Sequence, residues 1–91
     1  GQLVNSDLAA ETHQVMKNLR AVLAEASMTF ANVVKTTIFL TDMNRFAEVN
    51  EIYGQHLERD LAGGGYPARE TVQVSALPKF VNVEIGMIAV K

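Results

Sequence analysis

Two ionisable side chains stand at positions where they could act on a small anionic molecule. Arg69 follows Tyr66-Pro67-Ala68 at the start of a predicted strand, and Glu84 interrupts an otherwise apolar strand. A guanidinium binds a carboxylate through two parallel N–H donors, and a partly buried carboxylate can orient or deprotonate water. The pair therefore suits a small 2-oxo or 2-imino acid. Two structural alternatives stay open: the residues could form an ion pair with each other, or Glu84 could point into solvent.

The composition narrows the classes of function. The 91 residues are 48% apolar and 20% charged, which predicts one folded domain over residues 1–91. The net charge is −2, and without a basic run we expect no nucleic-acid partner. The chain has no cysteine and two histidines outside any H-E-x-x-H arrangement, so we expect no metal. The apolar stretch over 85–90 is far shorter than the roughly 20 residues of a membrane span.

Five elements are expected to position Arg69 and Glu84. Hydrophobic periodicity predicts a helix over 7–26, a strand over 33–41 and a second helix that begins near residue 46 and ends before Gly63. Two further strands are expected over 70–76 and 81–90. Because a helix joins the first two strands, they are predicted to be parallel. The expected architecture is α+β, with two helices on one face of a mixed sheet.

The patterns also predict which side chains are buried. On the first helix, Ser6 is the expected N-cap, and His13 and Arg20 lie on the solvated side. Its expected apolar stripe is Val15, Met16, Leu19, Val22, Leu23 and Ala26. The first strand is expected to place Val34, Thr36, Ile38 and Leu40 on one face and Val33, Lys35, Thr37 and Phe39 on the other. Apolar residues on both faces predict that both faces are covered, at least in part.

Three long strings of the sequence closely resemble one family. They are V-V-K-T-T-I-F-L-T-D-M-N-R-F-A-E-V-N-E-I-Y over 33–53, Y-P-A-R-E-T-V-Q-V-S-A-L-P-K over 66–79 and V-E-I-G-M-I-A-V over 83–90. Together with G-Q-L-V-N-S-D-L-A-A-E-T-H-Q-V-M-K-N-L over 1–19, they resemble the Rid/YjgF family of reactive-imine deaminases, also known as the L-PSP endoribonuclease family. The family's N-terminal β-hairpin would precede Gly1, so the chain is expected to lack it.

The resemblance implies an assembly as well as a fold. It implies a chorismate-mutase-like fold that forms a homotrimer, with sheets inside, helices outside and active sites in clefts between subunits. It also implies that the last strand lies between the hairpin and the 33–41 strand, not beside the 70–76 strand.

The resemblance also implies roles for individual residues. Arg69 matches the arginine that holds the substrate carboxylate, and Glu84 matches the glutamate that positions the attacking water. The backbone N–H of Thr71 is the implied second carboxylate contact, and Asn50 matches an asparagine near the site. Two positions depart from the family: Gly86 replaces a second acidic residue, and Ser27-Met28 replaces a glycine after the first helix.

The function implied is hydrolysis of 2-imino acids, such as 2-iminobutanoate and 2-iminopropanoate, to 2-oxo acids and ammonia without a cofactor. Two alternatives stay open: a regulatory module that binds small 2-oxo acids, and an endoribonuclease that inhibits translation. The expected location is the cytoplasm, or an organelle matrix if a targeting segment has been removed.

Overall fold

The structure is a computed structural model that describes the backbone from residue 3 to residue 91 and the side chains from residue 8. Its helices and strands are α1 Leu3–Glu25, β1 Val33–Leu40, α2 Phe46–Leu61, β2 Ala68–Gln73 and β3 Val83–Ala89. All five predicted elements are present in the predicted order. The boundaries differ from the predicted ones by a few residues. β2 begins and ends earlier than the predicted range 70–76, and β3 is shorter at both ends than the predicted range 81–90.

The three strands form a mixed sheet in the order β2-β1-β3. β1 pairs with β2 in parallel, with Thr36 opposite Arg69. It pairs with β3 in antiparallel fashion, with Phe39 opposite Glu84. This topology confirms both the parallel crossover and the placement of the last strand beside β1. β3 is an edge strand among the described residues.

Capping and turn geometry explain where the helices stop. Ser27 ends α1 in a left-handed conformation with φ 61°, a conformation that favours glycine. Before α2, the side chain of Asp42 accepts a hydrogen bond of 3.0 Å from the backbone N–H of Asn44. Asp42 thereby caps the short 3-10 helix Met43–Arg45, which leads into α2. At its other end α2 stops at Ala62, whose φ is 50°.

A β-bulge changes the predicted faces of β1. Val33 lies opposite Ala89 but Lys35 lies opposite Ile88, so one extra residue, Val34, stands in β1. As a result Val33 is buried, whereas Val34 is 48% exposed. The prediction that assigned Val34 to the face of Thr36 and Val33 to the opposite face is therefore wrong, because strict alternation does not anticipate a bulge.

The core lies between the helices and one face of the sheet. It includes the fully buried Met16, Phe30, Ile38, Val49 and Leu57. The stripe predicted on α1 is confirmed at Met16 and Leu23, which are buried, and at Val15 and Leu19, which pack against the core. It is wrong at Val22 and Ala26, which are exposed. α1 also begins at residue 3, so Ser6 lies within the helix and does not precede it.

The two helices meet through polar contacts that the sequence pattern did not indicate. Arg20 of α1 donates to both carboxylate oxygens of Asp60 of α2, each at 3.0 Å. His13 Nδ1 lies 2.9 Å from Nε2 of His56, which is only 7% exposed. Arg20 and His13 therefore join the two helices, contrary to the solvated positions predicted for them.

The surroundings of His56 favour its neutral form. Its Nδ1 has no hydrogen-bond partner among the described residues. A proton on Nε2 lets His56 donate to His13 and leaves only a lone pair buried at Nδ1, which costs less than burying an unpaired N–H. Metal binding between the rings would need the lone pair of Nε2 and would force that unpaired N–H, so the pair is poorly suited to a metal ion.

Burial, followed by the positive charges of His13, Arg20, Arg59 and Lys17, lowers the pKa of His56 below its usual 6.5. The unfolded chain then binds a proton at this histidine more tightly than the folded chain does. Neutral His56 therefore makes its full contribution to the stability of the fold above about pH 6.5, and this contribution is lost as the pH falls toward the lowered pKa. We expect the free energy of unfolding, measured in urea from about pH 8 to about pH 5.5, to fall less in His56→Gln than in the parent. His13→Gln, which keeps His56 titratable, is the control. An identical decline in the parent and in His56→Gln would contradict this assignment.

None of the helices in the described part of the chain is both long enough and apolar enough to cross a bilayer.

Candidate functional site

A cavity of about 430 Å³ opens between α2 and the start of β2. Its lining residues are Asn50, Tyr53, Gly54, Tyr66, Pro67 and Arg69. The glycine-rich loop over 62–67 carries the chain from the end of α2 back to β2 and so forms one wall. The cavity is thus built by the parallel crossover, with a helix on one side and a strand end on the other.

Arg69 supplies the positive charge of this cavity. Its guanidinium lies 5.3 Å from the ring centroid of Phe46 and 5.4 Å from that of Tyr53, within the range of cation–π attraction. Its Nη1 donates a hydrogen bond to Oδ1 of Asn50. A guanidinium has five N–H donors, and this contact uses one, so two others can bind a carboxylate in parallel. The two rings and the amide fix the direction of an otherwise exposed, flexible side chain.

Tyr53 connects the cavity to the core. Its hydroxyl donates a hydrogen bond of 3.0 Å to Oγ1 of Thr36, and both residues are buried. Burial raises the pKa of Tyr53, and the hydrogen bond to Thr36 and the charge of Arg69 oppose that shift. The phenol therefore stays protonated near neutral pH and acts as a fixed donor, not as a base.

The sequence analysis missed the contribution of Phe46 and Tyr53 to the site, since both aromatic residues fit a helix core. A signal was nevertheless present. Phe46, Asn50 and Tyr53 follow spacings of four and three, which place side chains on one face of a helix. If this face of the helix packs beside the strand that follows it, the spacing predicts that aromatic rings and an amide contact Arg69.

Thr71 lies two residues after Arg69 in β2, so the two side chains share a face of the sheet. Thr71 pairs with the buried Ile38 and is partly buried, and it does not line the cavity. Within the residues that the structure describes, no three His, Cys, Asp or Glu side chains converge on a point where they could hold a metal ion.

Glu84 lies on the other face of the sheet. Its neighbours Val83 and Ile85 are buried on the helix side, at 1% and 6% exposure, so the side chain between them must face away from the helices. Its partner in β1 is Phe39, three residues beyond the Thr36 that pairs with Arg69. Glu84 and Arg69 are therefore about 14 Å apart in strand geometry, three residues along and two strands across, on opposite faces. An ion pair between them within one chain is ruled out.

We call the side of the sheet away from the helices the open face. Its residues are Lys35, Thr37, Phe39, Glu70, Val72, Glu84, Gly86 and Ile88. Ile88 is 57% exposed and Val72 is 37% exposed, whereas Thr37 and Phe39 of β1 are partly buried, so the described residues give β1 part of the predicted second cover. A side chain at Gly86 would meet no atom within 4 Å, so this departure from the family pattern leaves space beside Glu84.

Comparison with protein families agrees with this architecture. The model of the family described as Endoribonuclease L-PSP matches residues 1–91. The chain belongs to this family. DfrA of Myxococcus xanthus is 51% identical over 98% of this chain and 64% of its own length. Human 2-iminobutanoate/2-iminopropanoate deaminase is 44% identical over 100% of this chain and 63% of its own length. The chain thus spans less than two thirds of either relative.

Solved structures of the family have the same fold. E. coli TdcF with bound serine superposes with a TM-score of 0.85 at 36% identity, covering 92% of this chain and 65% of that chain. YyfA, a Rid-family protein of Yersinia pestis, superposes with a TM-score of 0.78 at 50% identity, covering 86% of this chain and 59% of that chain. These likenesses confirm the Rid/YjgF fold implied by the sequence.

The link between Tyr53 and Thr36 generates a stability prediction. Tyr53→Phe keeps the ring beside Arg69 but leaves the buried Oγ1 of Thr36 without its donor, so we expect a loss of about 1–2 kcal/mol. Urea unfolding measures it. Tyr66→Phe is the matched control, because Tyr66 is 52% exposed, and it should change the free energy of unfolding by less than about 0.5 kcal/mol. Equal stability of Tyr53→Phe and the parent would refute the role of this hydrogen bond.

Proposed function

We propose that the protein hydrolyses small 2-imino acids to 2-oxo acids and ammonia, and that Arg69 and Glu84 carry the reaction. The observation that supports this most directly is the cavity at Arg69. A guanidinium held against two aromatic rings, with N–H donors still free, suits the carboxylate of a small organic acid. The deaminases among the relatives and the serine bound to TdcF support the same class of ligand.

The chemistry requires a carbon electrophile held still beside an activated water. Arg69 binds the carboxylate and so fixes the imine carbon next to it. Water oxygen forms a bond to that carbon while the C=N electron pair moves to nitrogen, and Glu84 accepts the proton that the water loses. Glu84 returns this proton to the nitrogen, which completes a tetrahedral adduct with one hydroxyl and one amino group. The hydroxyl proton then passes through Glu84 to the amino nitrogen, the C–N bond breaks, and the adduct collapses to a C=O group and ammonia. The products are a 2-oxo acid and ammonia, with no change of oxidation state.

Because Glu84 and Arg69 face opposite sides of one sheet, we propose that each site takes Arg69 from one subunit and Glu84 from its neighbour. The open face supports this arrangement, since it presents Phe39, Val72 and Ile88 around Glu84. Exposed apolar patches of this kind mark interaction surfaces. A homotrimer with cyclic symmetry, as the family resemblance implies, would bury the open face and bring the two residues together.

The edge of β3 fits the same assembly. β3 has no neighbour on its outer side among the described residues. Unpaired strand edges recruit other strands. We propose that the N-terminal hairpin of the family pairs with this edge in the full-length protein.

A regulatory module that binds 2-oxo acids would use the same cavity, so the two functions differ only in turnover. The test is production of ammonia, or trapping of the imine by semicarbazide, with 2-iminopropanoate generated in situ. Binding of 2-oxobutanoate without turnover would favour the regulatory module. Ribonuclease activity has less support, because the net charge of −2 offers little attraction for a phosphate backbone.

Arg69→Lys keeps the charge but loses the planar fork, so we expect imine hydrolysis to fall at least about tenfold, or roughly 1.4 kcal/mol, mainly through weaker substrate binding. The measurement is kcat/KM in the coupled assay. Arg59→Lys is the matched control, because Arg59 lies on the same helix as Asn50 but lines a different depression beside His56. It should leave the rate unchanged.

Glu84→Gln in the same assay tests the second role. It should abolish hydrolysis while calorimetry still detects 2-oxobutanoate, because Arg69 still binds the carboxylate. Parental turnover in a folded Arg69→Lys or Glu84→Gln protein would remove that residue from the mechanism.

A further inference from the structure

A carboxylate of α1 holds the start of β3. Oε2 of Glu11 accepts hydrogen bonds from the backbone N–H of Asn82 at 2.7 Å and from that of Val83 at 3.2 Å. Its Oε1 accepts a third from the side-chain amide of Asn82 at 3.2 Å. On the opposite side, the carbonyl of Asn82 accepts a hydrogen bond of 3.2 Å from the backbone N–H of Thr41, just past the end of β1. Asn82 is thus bound by both the first helix and the first strand.

This contact fixes the part of the chain that carries Glu84. Among the described residues β3 pairs with β1 and has no strand on its outer side, so its position at the edge depends on what else holds it. Val83 packs in the core directly after the anchored residue, and Glu84 follows on the open face. The backbone of β3 sets the direction in which the Glu84 side chain leaves the sheet.

We propose that Glu11 is a positioning residue for Glu84, a role that rests on the proposed function. A carboxylate offers only acceptors, and the three groups that Glu11 contacts are all N–H donors. A glutamine has the same shape but presents an amide N–H to one or more of these donors. The start of β3 would then lose an acceptor and shift, and Glu84 would move with it. Misplacement of a reacting group by even 1 Å can lower a rate greatly.

The test is Glu11→Gln in the full-length protein, assayed well below its melting temperature. We expect kcat for imine hydrolysis to fall at least about fivefold, while KM and the Kd for 2-oxobutanoate change by less than about twofold. The split arises because Arg69, which binds the carboxylate, is on the other side of the sheet and on another strand. A residue needed only for folding would lower the amount of active protein or the melting temperature without this separation.

Glu25→Gln is the matched control, since it makes the same change of charge at the exposed last residue of α1. It should leave kcat unchanged. Asn82→Ala provides a second variant if Glu11→Gln does not fold, because it removes one of the three contacts and keeps the backbone pair. It should lower kcat by about twofold or more with KM unchanged.

An unchanged kcat in folded Glu11→Gln would overturn the proposal, and so would a parallel loss of kcat and of 2-oxobutanoate binding. If Glu11→Gln does not fold, an unchanged kcat in Asn82→Ala would overturn it. Glu84→Gln in the same series separates this failure from failure of the proposed function. An inactive Glu84→Gln beside a fully active Glu11→Gln rejects only the role of Glu11, whereas an active Glu84→Gln rejects the assignment of Glu84 itself.

Discussion

Alternate residues of a β-strand face opposite sides of the sheet, and in this chain that rule separates Arg69 from Glu84. Arg69 shares the row of Thr36, under the helices, and Glu84 shares the row of Phe39, on the open face. Neither residue can cross without a one-residue slip of its own strand, and in β3 that slip would turn the buried Val83 and Ile85 out of the core. A site that needs both must therefore bring the open face of one subunit to the cavity of another. Oligomerisation is thus part of the proposed mechanism and not an addition to it.

The two faces of the sheet are organised differently. On the helix side, residues of α2 serve the core and the cavity at once, because Tyr53 is bonded to buried Thr36 and also stacks near Arg69. This side is complete within one chain. The open face is not, since its apolar groups remain exposed and its carboxylate is held only through the backbone of β3. Glu11 adds hydrogen bonds at the start of β3, whose outer edge has no neighbour among the described residues.

Periodicity predicted the order and type of all five elements, because the helices and strands of this chain have apolar residues at regular spacings. It could not predict the bulge at Val34, which depends on the register with β3. Nor could it predict the pairing of His13 with His56, or of Glu11 with Asn82, since these contacts join residues 43 and 71 positions apart. Arg69 and Glu84 were recognisable as unusual ionisable positions. Their placement on opposite faces required the register of three strands, which no local pattern contains.

Mixing two variants that are each impaired in a different residue tests the shared site most directly. One preparation carries Arg69→Lys and the other Glu84→Gln, and subunits are exchanged by joint unfolding and refolding. If each site combines Arg69 of one subunit with Glu84 of the next, every mixed trimer contains one native site, and an equal random mixture recovers about a quarter of parental activity. If both residues act within one chain, no native site can form. Recovery of imine hydrolysis is the result predicted here, and a mixture no more active than its two components would contradict the account.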